Sequence, residues 1–359
     1  MKRNGIHPGD ATETLQELPA ESVNMVMTSP PYWNLRDYGV DGQLGREETA
    51  EAFVQNLADV FDEVKRVLRP DGSLWLNLGD TYDDKDLQQI PARVALELQN
   101  RGWILRNRVT WAKPNPMPQS VKDRLNDTTE AVFHFVKERD YWYDLDAIRE
   151  PHAAPNRTAG KREDYKQYGG GQGERYEQHP AGKNPGDVFE VTTKPFPEAH
   201  FAVYPPELVE KPLKATCPPK VCADCGSPYE RQVDHEKIPL NELPESNPNY
   251  RPNTYARYSG VGEDRNDASE KRTLPARETT GWEPGCDCDT DATEAGIALD
   301  PFAGAGTTLL KAKELGRKFV GIELNPEYAD MARARIGLSP HDPSNVRDDD
   351  NQSGLEAYD

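Results

Sequence analysis

The sequence predicts an α/β fold built on a doubly wound, mainly parallel sheet with helices on both faces. Two observations predict it. First, short apolar runs alternate with segments of helical apolar spacing over residues 6–136 and again over 297–336, the signature of repeated strand–helix–strand units. Second, two of the strands run into turns suited to a ligand. Val23 to Met27 leads into Thr28-Ser29-Pro30-Pro31-Tyr32-Trp33, and Ile297 to Leu299 leads into Asp300-Pro301-Phe302-Ala303-Gly304-Ala305-Gly306-Thr307-Thr308. Open α/β sheets hold ligands at the carboxyl ends of their strands.

Taken in order, Ile6-His7-Pro8-Gly9-Asp10 reads as a short strand or turn, followed by a helix from Ala11 to Leu18 that Pro19 ends. Asp10 has a plain role as helix N-cap and a sharper one as a contact for a nucleotide-like ligand. Val23 to Met27 is a buried strand that must stop at two prolines, which donate no backbone hydrogen bond. Phe53 to Leu68 has helical spacing and closes at Arg69-Pro70-Asp71-Gly72. Ser73 to Leu78 is a strand ending in Gly79-Asp80, Pro91 to Gly102 an amphipathic helix, and Trp103 to Trp111 and Ala131 to Val136 further strands.

Arg101 to Arg124 carries Arg101, Arg106, Arg108, Lys113, Lys122 and Arg124 against the single acid Asp123. With Trp103, Trp111 and Pro114-Asn115-Pro116-Met117-Pro118 interleaved, it reads either as a solvated edge and loop or as a phosphate-tracking loop. From Pro151 to Pro185 periodicity disappears around Gly169-Gly170-Gly171-Gln172-Gly173, as in a long mobile loop. Cys222-Ala223-Asp224-Cys225-Gly226 and Cys286-Asp287-Cys288 flank a polar stretch. CxxC before Gly is a good metal knuckle and CxC a less usual second half. Four thiolates suit a structural zinc, reduced structural cysteines being the plainer reading, with Cys217 spare. Ser339 to Asp359 is acidic and poor in apolar residues, the composition of a disordered tail.

The chain has 359 residues and a formal net charge of −19, from 43 Lys and Arg against 62 Asp and Glu. No run approaches membrane-spanning length and no signal-peptide core precedes the first strand, so a cytoplasmic protein without a membrane partner is expected. Five cysteines, an odd number, argue against a disulfide framework. The acidity suits work in concentrated salt, where the Debye length shrinks to about 3 Å, so a halophilic source is expected.

The turn Asp300 to Thr308 opens a helix over Leu309 to Leu315, and Lys318 to Asn325 is a strand containing Glu323. Glycines let a backbone approach a ligand closely, and a carboxylate at the second strand's end can accept both hydroxyls of a ribose. A phosphate-binding P-loop needs Gly-Lys-Ser/Thr, and no Lys follows Gly306. The dinucleotide fingerprint needs a third Gly where Leu309 stands. A ligand with a ribose and no pyrophosphate remains, and S-adenosylmethionine fits.

Asp300-Pro301-Phe302-Ala303-Gly304-Ala305-Gly306-Thr307-Thr308 together with Thr28-Ser29-Pro30-Pro31-Tyr32-Trp33 resembles the exocyclic-amino DNA methyltransferases. The catalytic motif precedes the cofactor motif, as in their circularly permuted beta class. Trp111-Ala112-Lys113-Pro114-Asn115-Pro116-Met117-Pro118, Gly186-Asp187-Val188 and His200-Phe201-Ala202-Val203-Tyr204-Pro205 strengthen the resemblance, which covers most of 5–150 and 186–337. It implies a seven-stranded Rossmann-like fold in which 1–150 is the catalytic half, 151–185 a target-recognition loop, and 186–216 a return to the core. A cysteine-clipped insertion over 217–290, a cofactor half over 291–337 and the tail 338–359 would complete the chain.

By the same resemblance, Ser29 and the Pro30 carbonyl accept from the target NH2, with Pro31 fixing the turn and Tyr32 stacking on a base flipped out of the duplex. Asp10, Thr28, Asp300, Pro301, Phe302, Gly304, Gly306, Thr307, Thr308 and Asn325 line the cofactor, and Glu323 holds its ribose. Trp33, Arg36, Arg106, Arg108, Lys113, Asn115, Lys122 and Arg124 become candidate contacts to double-stranded DNA. No Pro-Cys pair is present, which disfavours C5-cytosine chemistry. In this family Ser before Pro-Pro-Tyr goes with cytosine N4, and Asp or Asn with adenine N6. The expectation is therefore an N4-cytosine enzyme of a haloarchaeal type, with a cognate restriction endonuclease as a candidate partner whose presence the sequence does not decide. The alternatives are N6-adenine, RNA methylation, or a non-catalytic DNA-binding module. Target sequence and oligomeric state are not legible.

Overall fold

The computed structural model describes residues 2–37, 39–152, 179, 182–194, 203–234, 237–239, 273–275 and 278–339. The expected recognition loop over 151–185, His200 and Phe201, most of the segment between the cysteine pairs and the acidic tail lie largely outside them.

The strands, in chain order, are β1 (Gly5–Pro8), β2 (Val23–Thr28), β3 (Leu68–Leu78), β4 (Tyr82–Asp83), β5 (Asp86–Leu87), β6 (Ile104–Ala112), β7 (Thr129–Val136), β8 (Val188–Glu190), β9 (Val221–Cys222), β10 (Tyr229–Asp234), β11 (Lys237–Pro239), β12 (Thr273–Pro275), β13 (Glu278–Pro284), β14 (Thr293–Glu294), β15 (Ile297–Asp300) and β16 (Lys318–Glu323). The main sheet has the order β1-β16-β15-β2-β3-β7-β6-β8. All neighbours pair in parallel except β7, which is antiparallel to both β3 and β6. Among the described residues the expected seven strands are therefore eight. The eighth, β8, is three residues long and pairs with β6 through Thr110↔Val188, too short to leave a periodic signal in the sequence.

Helices cover both faces, as a doubly wound sheet requires. On one side, Phe53, Leu57, Phe61 and Val64 of the helix Ala50–Val67 meet Leu74, Leu76 and Leu78 of β3. On the other, the helix Pro206–Thr216 packs on β2 and β3, Thr307–Glu314 on β15 and β16, and Pro326–Ile336 on β1 and β16, in one core with Met25, Met27 and Trp75. Strand residues alternate between the two cores, Leu74 and Leu76 facing one and Trp75 the other, the two-residue period of a pleated strand. Each fully buried Phe contributes about 2–3 kcal/mol of transfer free energy.

Local chemistry sets the element ends. Thr49 accepts from the Ala52 N–H at 3.1 Å to cap the long helix. The first helix stops at Leu15 rather than Leu18, because Gln16, Glu17 and Leu18 tighten into i→i+3 bonds before Pro19.

The chain forms two compact units. The first comprises Met1–Tyr143, Asp187–Pro228 and Cys286–Asp359, and contains the main sheet. The second comprises Asp144–Gly186 and Tyr229–Gly285. Within it β10 pairs with β13 and β11 with β12, both antiparallel, and Arg231 Nε donates to Asp144 Oδ2 at 2.7 Å.

Candidate active site

β1, β16, β15, β2 and β3 run parallel, so their carboxyl ends share one edge. That edge carries Gly9-Asp10, Glu323, Asp300, Thr28-Ser29 and Gly79. Because β15 pairs directly with β2 through Ala298↔Met25 and Leu299↔Val26, the two sequence motifs become neighbours. Thr28 Oγ1 donates to Asp300 Oδ1 at 2.7 Å, the Phe302 N–H donates to the same oxygen at 3.1 Å, and the Tyr204 hydroxyl donates to Oδ2 at 3.0 Å. Asp300 is fully buried. Burial pushes its carboxyl upward, and these hydrogen bonds oppose the shift. Burial and the nearby Asp300 charge push the Tyr204 phenol well up, so it serves as a donor. Its hydroxyl also meets Thr308 Oγ1, and Thr308 reaches back to the Met27 carbonyl at 3.1 Å.

The glycine turn follows. Gly304 and Gly306 have φ of 48° and 73°, values that favour glycine. A Cβ on Gly304 would meet nothing nearer than the Phe302 carbonyl at 4.0 Å, so the turn has space above it. Glu323 Oε2 accepts from the Gly304 N–H at 2.7 Å and Oε1 from the Asn325 N–H at 3.0 Å. Burial raises the Glu323 carboxyl, against those backbone bonds. Asp10 caps the first helix through the Thr12 and Glu13 amides at 2.8 and 3.0 Å. It is held at the Glu323 edge because the Gly9 N–H donates to the Glu323 carbonyl at 2.9 Å. Asn325 caps the last helix through the Glu327 N–H, Thr307 accepts from Arg335 Nη1 at 2.9 Å, and Pro301 is buried beside a half-buried Phe302.

On the other strand, Pro30 is buried, while Ser29, Pro31 and Tyr32 are half-buried. Ser29 Oγ lies 3.2 Å from the Tyr32 hydroxyl, which donates to Glu130 Oε2 at 2.8 Å. Asn77 Nδ2 donates to the same oxygen at 2.9 Å, and Lys113 Nζ pairs with Oε1. The Tyr32 ring lies against Gly79, where an added Cβ would come within 2.4 Å of Tyr32 Cε2.

Glu130, Asn77 and the anchoring role of Tyr204 were not singled out from sequence. The signal for Glu130 lies in strand direction. β7 is antiparallel, so its beginning, where Leu78↔Ala131 pair, meets the carboxyl end of β3.

One expected DNA contact is corrected. Trp33 is buried in the core, with its Nε1 donating to the Glu47 carbonyl at 3.0 Å, so no ring face is left for DNA. Lys113, another candidate, pairs with Glu130 and lies over the Trp111 ring at 4.7 Å. Arg101, part of the basic segment, is tied to Asp59, Asp62 and Glu97. The other candidates sit at or near the surface. Arg108 and Lys122 are exposed, and Arg36 is half-buried. Arg106 donates to the Tyr141 hydroxyl at 3.0 Å, and Arg124 lies over the Tyr82 ring at 4.0 Å while pairing with Asp127. Asn115 exchanges hydrogen bonds with Thr193, joining two loops. Away from this edge, the Sγ atoms of Cys222, Cys225, Cys286 and Cys288 all lie within 4.8 Å of one another.

An open sheet with a glycine turn, a strand-end carboxylate and an adjoining Ser-Pro-Pro-Tyr loop has the layout of a cofactor-dependent group transferase. The chain belongs to the N6/N4 DNA methylase family, whose pattern matches residues 23–225 and 291–334. It is 32% identical to the type II methyltransferase M.XycI of Xanthomonas campestris pv. cyanopsidis over 365 residues, spanning 94% of this chain and 88% of that protein. It is 31% identical to the type II methyltransferase M.SmaI of Serratia marcescens over 357 residues, spanning 91% and 89%. Among solved structures, the PvuII DNA methyltransferase (cytosine-N4-specific) superposes with a TM-score of 0.55 at 17% identity, spanning 95% of this chain and 87% of that one; this likeness is one of fold.

Proposed function

We propose that this protein transfers a methyl group from S-adenosylmethionine to the exocyclic N4 of cytosine in a short motif of double-stranded DNA. The observation that carries the reading is the Thr28–Asp300 hydrogen bond of 2.7 Å, which joins the Ser-Pro-Pro-Tyr loop to the glycine turn. Acceptors for the target amine and a seat for the methyl donor are thereby held side by side.

The residues present fit the cofactor. The turn at Gly304 has open space, and each Glu323 oxygen, having accepted one backbone N–H, retains a lone pair for a ribose hydroxyl. Asp10 stands beside Glu323 for the adenine end. When bound, S-adenosylmethionine supplies an electrophilic sulfonium methyl. The chain's own residues prepare the nucleophile. An exocyclic amine is unreactive because its lone pair is delocalised into the ring. Ser29 Oγ and the Pro30 carbonyl, as acceptors for its N–H bonds, favour pyramidal nitrogen and restore the lone pair. Tyr32, fixed by Gly79 and Glu130, stacks on the extruded base. The gain is positioning and oriented dipoles.

Ser29 before Pro-Pro-Tyr supports cytosine N4 over adenine N6, and the chain order, catalytic loop before glycine turn, supports a permuted member of the family. The type II methyltransferases it resembles support a role as the modification half of a restriction–modification pair. Among the described residues no helix is long and apolar enough to cross a membrane. The charge of −19 supports a halophilic protein, and a DNA substrate supports a place of action in the cytoplasm. Exposed Arg108 and Lys122 would meet phosphates. The test is in vitro. Duplex DNA is incubated with the full chain and methyl-labelled cofactor in molar KCl, and its nucleosides are then separated chromatographically. Label in N4-methyldeoxycytidine is expected; label in N6-methyldeoxyadenosine would overturn the base assignment.

A further inference from the structure

We infer that Cys222, Cys225, Cys286 and Cys288 form a structural zinc site that clasps the chain at the two points where the Tyr229–Gly285 excursion leaves and rejoins the first unit. The four Sγ atoms lie within 4.8 Å of one another. Thiolates about 2.3 Å from a tetrahedral zinc are separated by about 3.8 Å, so the cluster matches the size of such a site.

The backbone builds the site from local rules. After Cys222 the chain makes a tight turn. The Gly226 N–H donates to the Cys222 carbonyl at 2.8 Å, and the Cys222 N–H donates to the Ser227 carbonyl at 2.8 Å. Gly226 takes a φ of 71° that suits glycine. This turn puts Cys222 and Cys225 on one side. Antiparallel pairing then brings the second half alongside: Thr293 of β14 is opposite Cys222 of β9, and the Ala223 N–H donates to the Ala292 carbonyl at 3.0 Å. The pairs, far apart in sequence, converge on one point rather than meeting as two separate couples, which favours a shared ion over disulfides. Cys217, fully buried in the sheet's core, stands outside the cluster.

The position gives the site its role. Pro228 ends one segment of the first unit and Cys286 begins the next, so the ligands bracket the excursion at both ends. The clasp is itself tied down. Arg69 Nη1 donates to the Cys225 carbonyl at 3.2 Å while its Nε pairs with Asp71 at 3.1 Å. Glu294 on β14 pairs with both Arg3 and Lys318 at 2.9 Å. β14 leads into β15, the strand that ends at Asp300. Four thiolates leave no open coordination position, so the ion is structural rather than catalytic. A tetrahedral all-sulfur set suits zinc or iron, and a metal assay separates them.

The test uses the full chain purified without chelator. Plasma mass spectrometry should find one zinc per chain, and thiol alkylation should leave these four cysteines unmodified until the metal is stripped. Stripping should lower Tm by more than about 4 °C. Replacing the metal with Co²⁺ should give the intense visible bands of a tetrahedral tetrathiolate. Cys286→Ser should lose the zinc, while Cys217→Ala should keep it. If Cys286→Ser fails to fold, the cobalt spectrum of the unaltered chain still decides. Stoichiometric iron, a six-coordinate cobalt spectrum, or a metal-free chain with all four thiols reactive and an unchanged Tm would overturn the assignment.

Discussion

The phenolic hydroxyl of Tyr32 donates a 2.8 Å hydrogen bond to Oε2 of Glu130, tying the Ser-Pro-Pro-Tyr loop to the start of an antiparallel strand. Glu130 also takes Asn77 and Lys113, so one carboxylate fixes three groups around that loop. Its neighbour Ser29 is 3.2 Å from the same hydroxyl. Under the proposed function, Glu130 is therefore a positioning residue. Glu130→Gln removes the charge that Lys113 neutralises and weakens the acceptor for Tyr32. Charge-assisted hydrogen bonds contribute about 1.5–3 kcal/mol, so kcat should fall about 10–100-fold while cofactor affinity stays within about twofold. Steady-state kinetics beside cofactor titration checks this; parallel loss of both would mean a general loss of fold. Tyr32→Phe, which leaves Lys113 and Asn77 on Glu130, should show a smaller fall.

Gly79 leaves room for the Tyr32 ring. A methyl group there would sit 2.4 Å from Tyr32 Cε2, so the ring must move. Gly79→Ala should depress turnover more than about 10-fold and leave cofactor binding intact, measured by the same pair of assays.

Thr28→Val tests the seam between the motifs. It strips the buried Asp300 carboxylate of its 2.7 Å donor. A buried group that loses a partner costs about 1–3 kcal/mol, which denaturant unfolding should register, and cofactor affinity should fall as the turn after Asp300 loosens.

Much of this was legible in the sequence, for physical reasons. Prolines after Val23–Thr28 had to end a strand, and glycines after Asp300 had to open a turn, so the backbone of both halves of the candidate site was readable locally. Their adjacency depends on β15 pairing with β2, which local periodicity does not encode. Glu130 was missed because its place follows from the reversal of β7. Trp33 was assigned outward because an aromatic beside a ligand loop looks the same in sequence whether it faces DNA or the core. β8 was too short to show a period.

His134 predicts a pH dependence. Its ring stacks on Trp75 with centroids 4.3 Å apart, and Nε2 meets Ser73 Oγ at 3.1 Å. Burial, helped by the Arg106 charge, pushes it from 6.5 down to about 3. Between those values the unfolded chain binds the proton and the folded chain does not, so this contribution is complete above pH 6.5 and is lost as pH falls towards 3. His134→Gln should flatten that part of the stability–pH curve, measured by urea unfolding across the range.

The central claim is that Ser29 and the glycine turn together methylate cytosine N4. Single-molecule sequencing of genomic DNA from a host expressing the chain, beside one expressing Ser29→Ala, tests it most directly. N4-methylcytosine at one short motif is expected with the unaltered chain, and its loss with the variant. N6-methyladenine at the motif, or equal modification by both proteins, would contradict it.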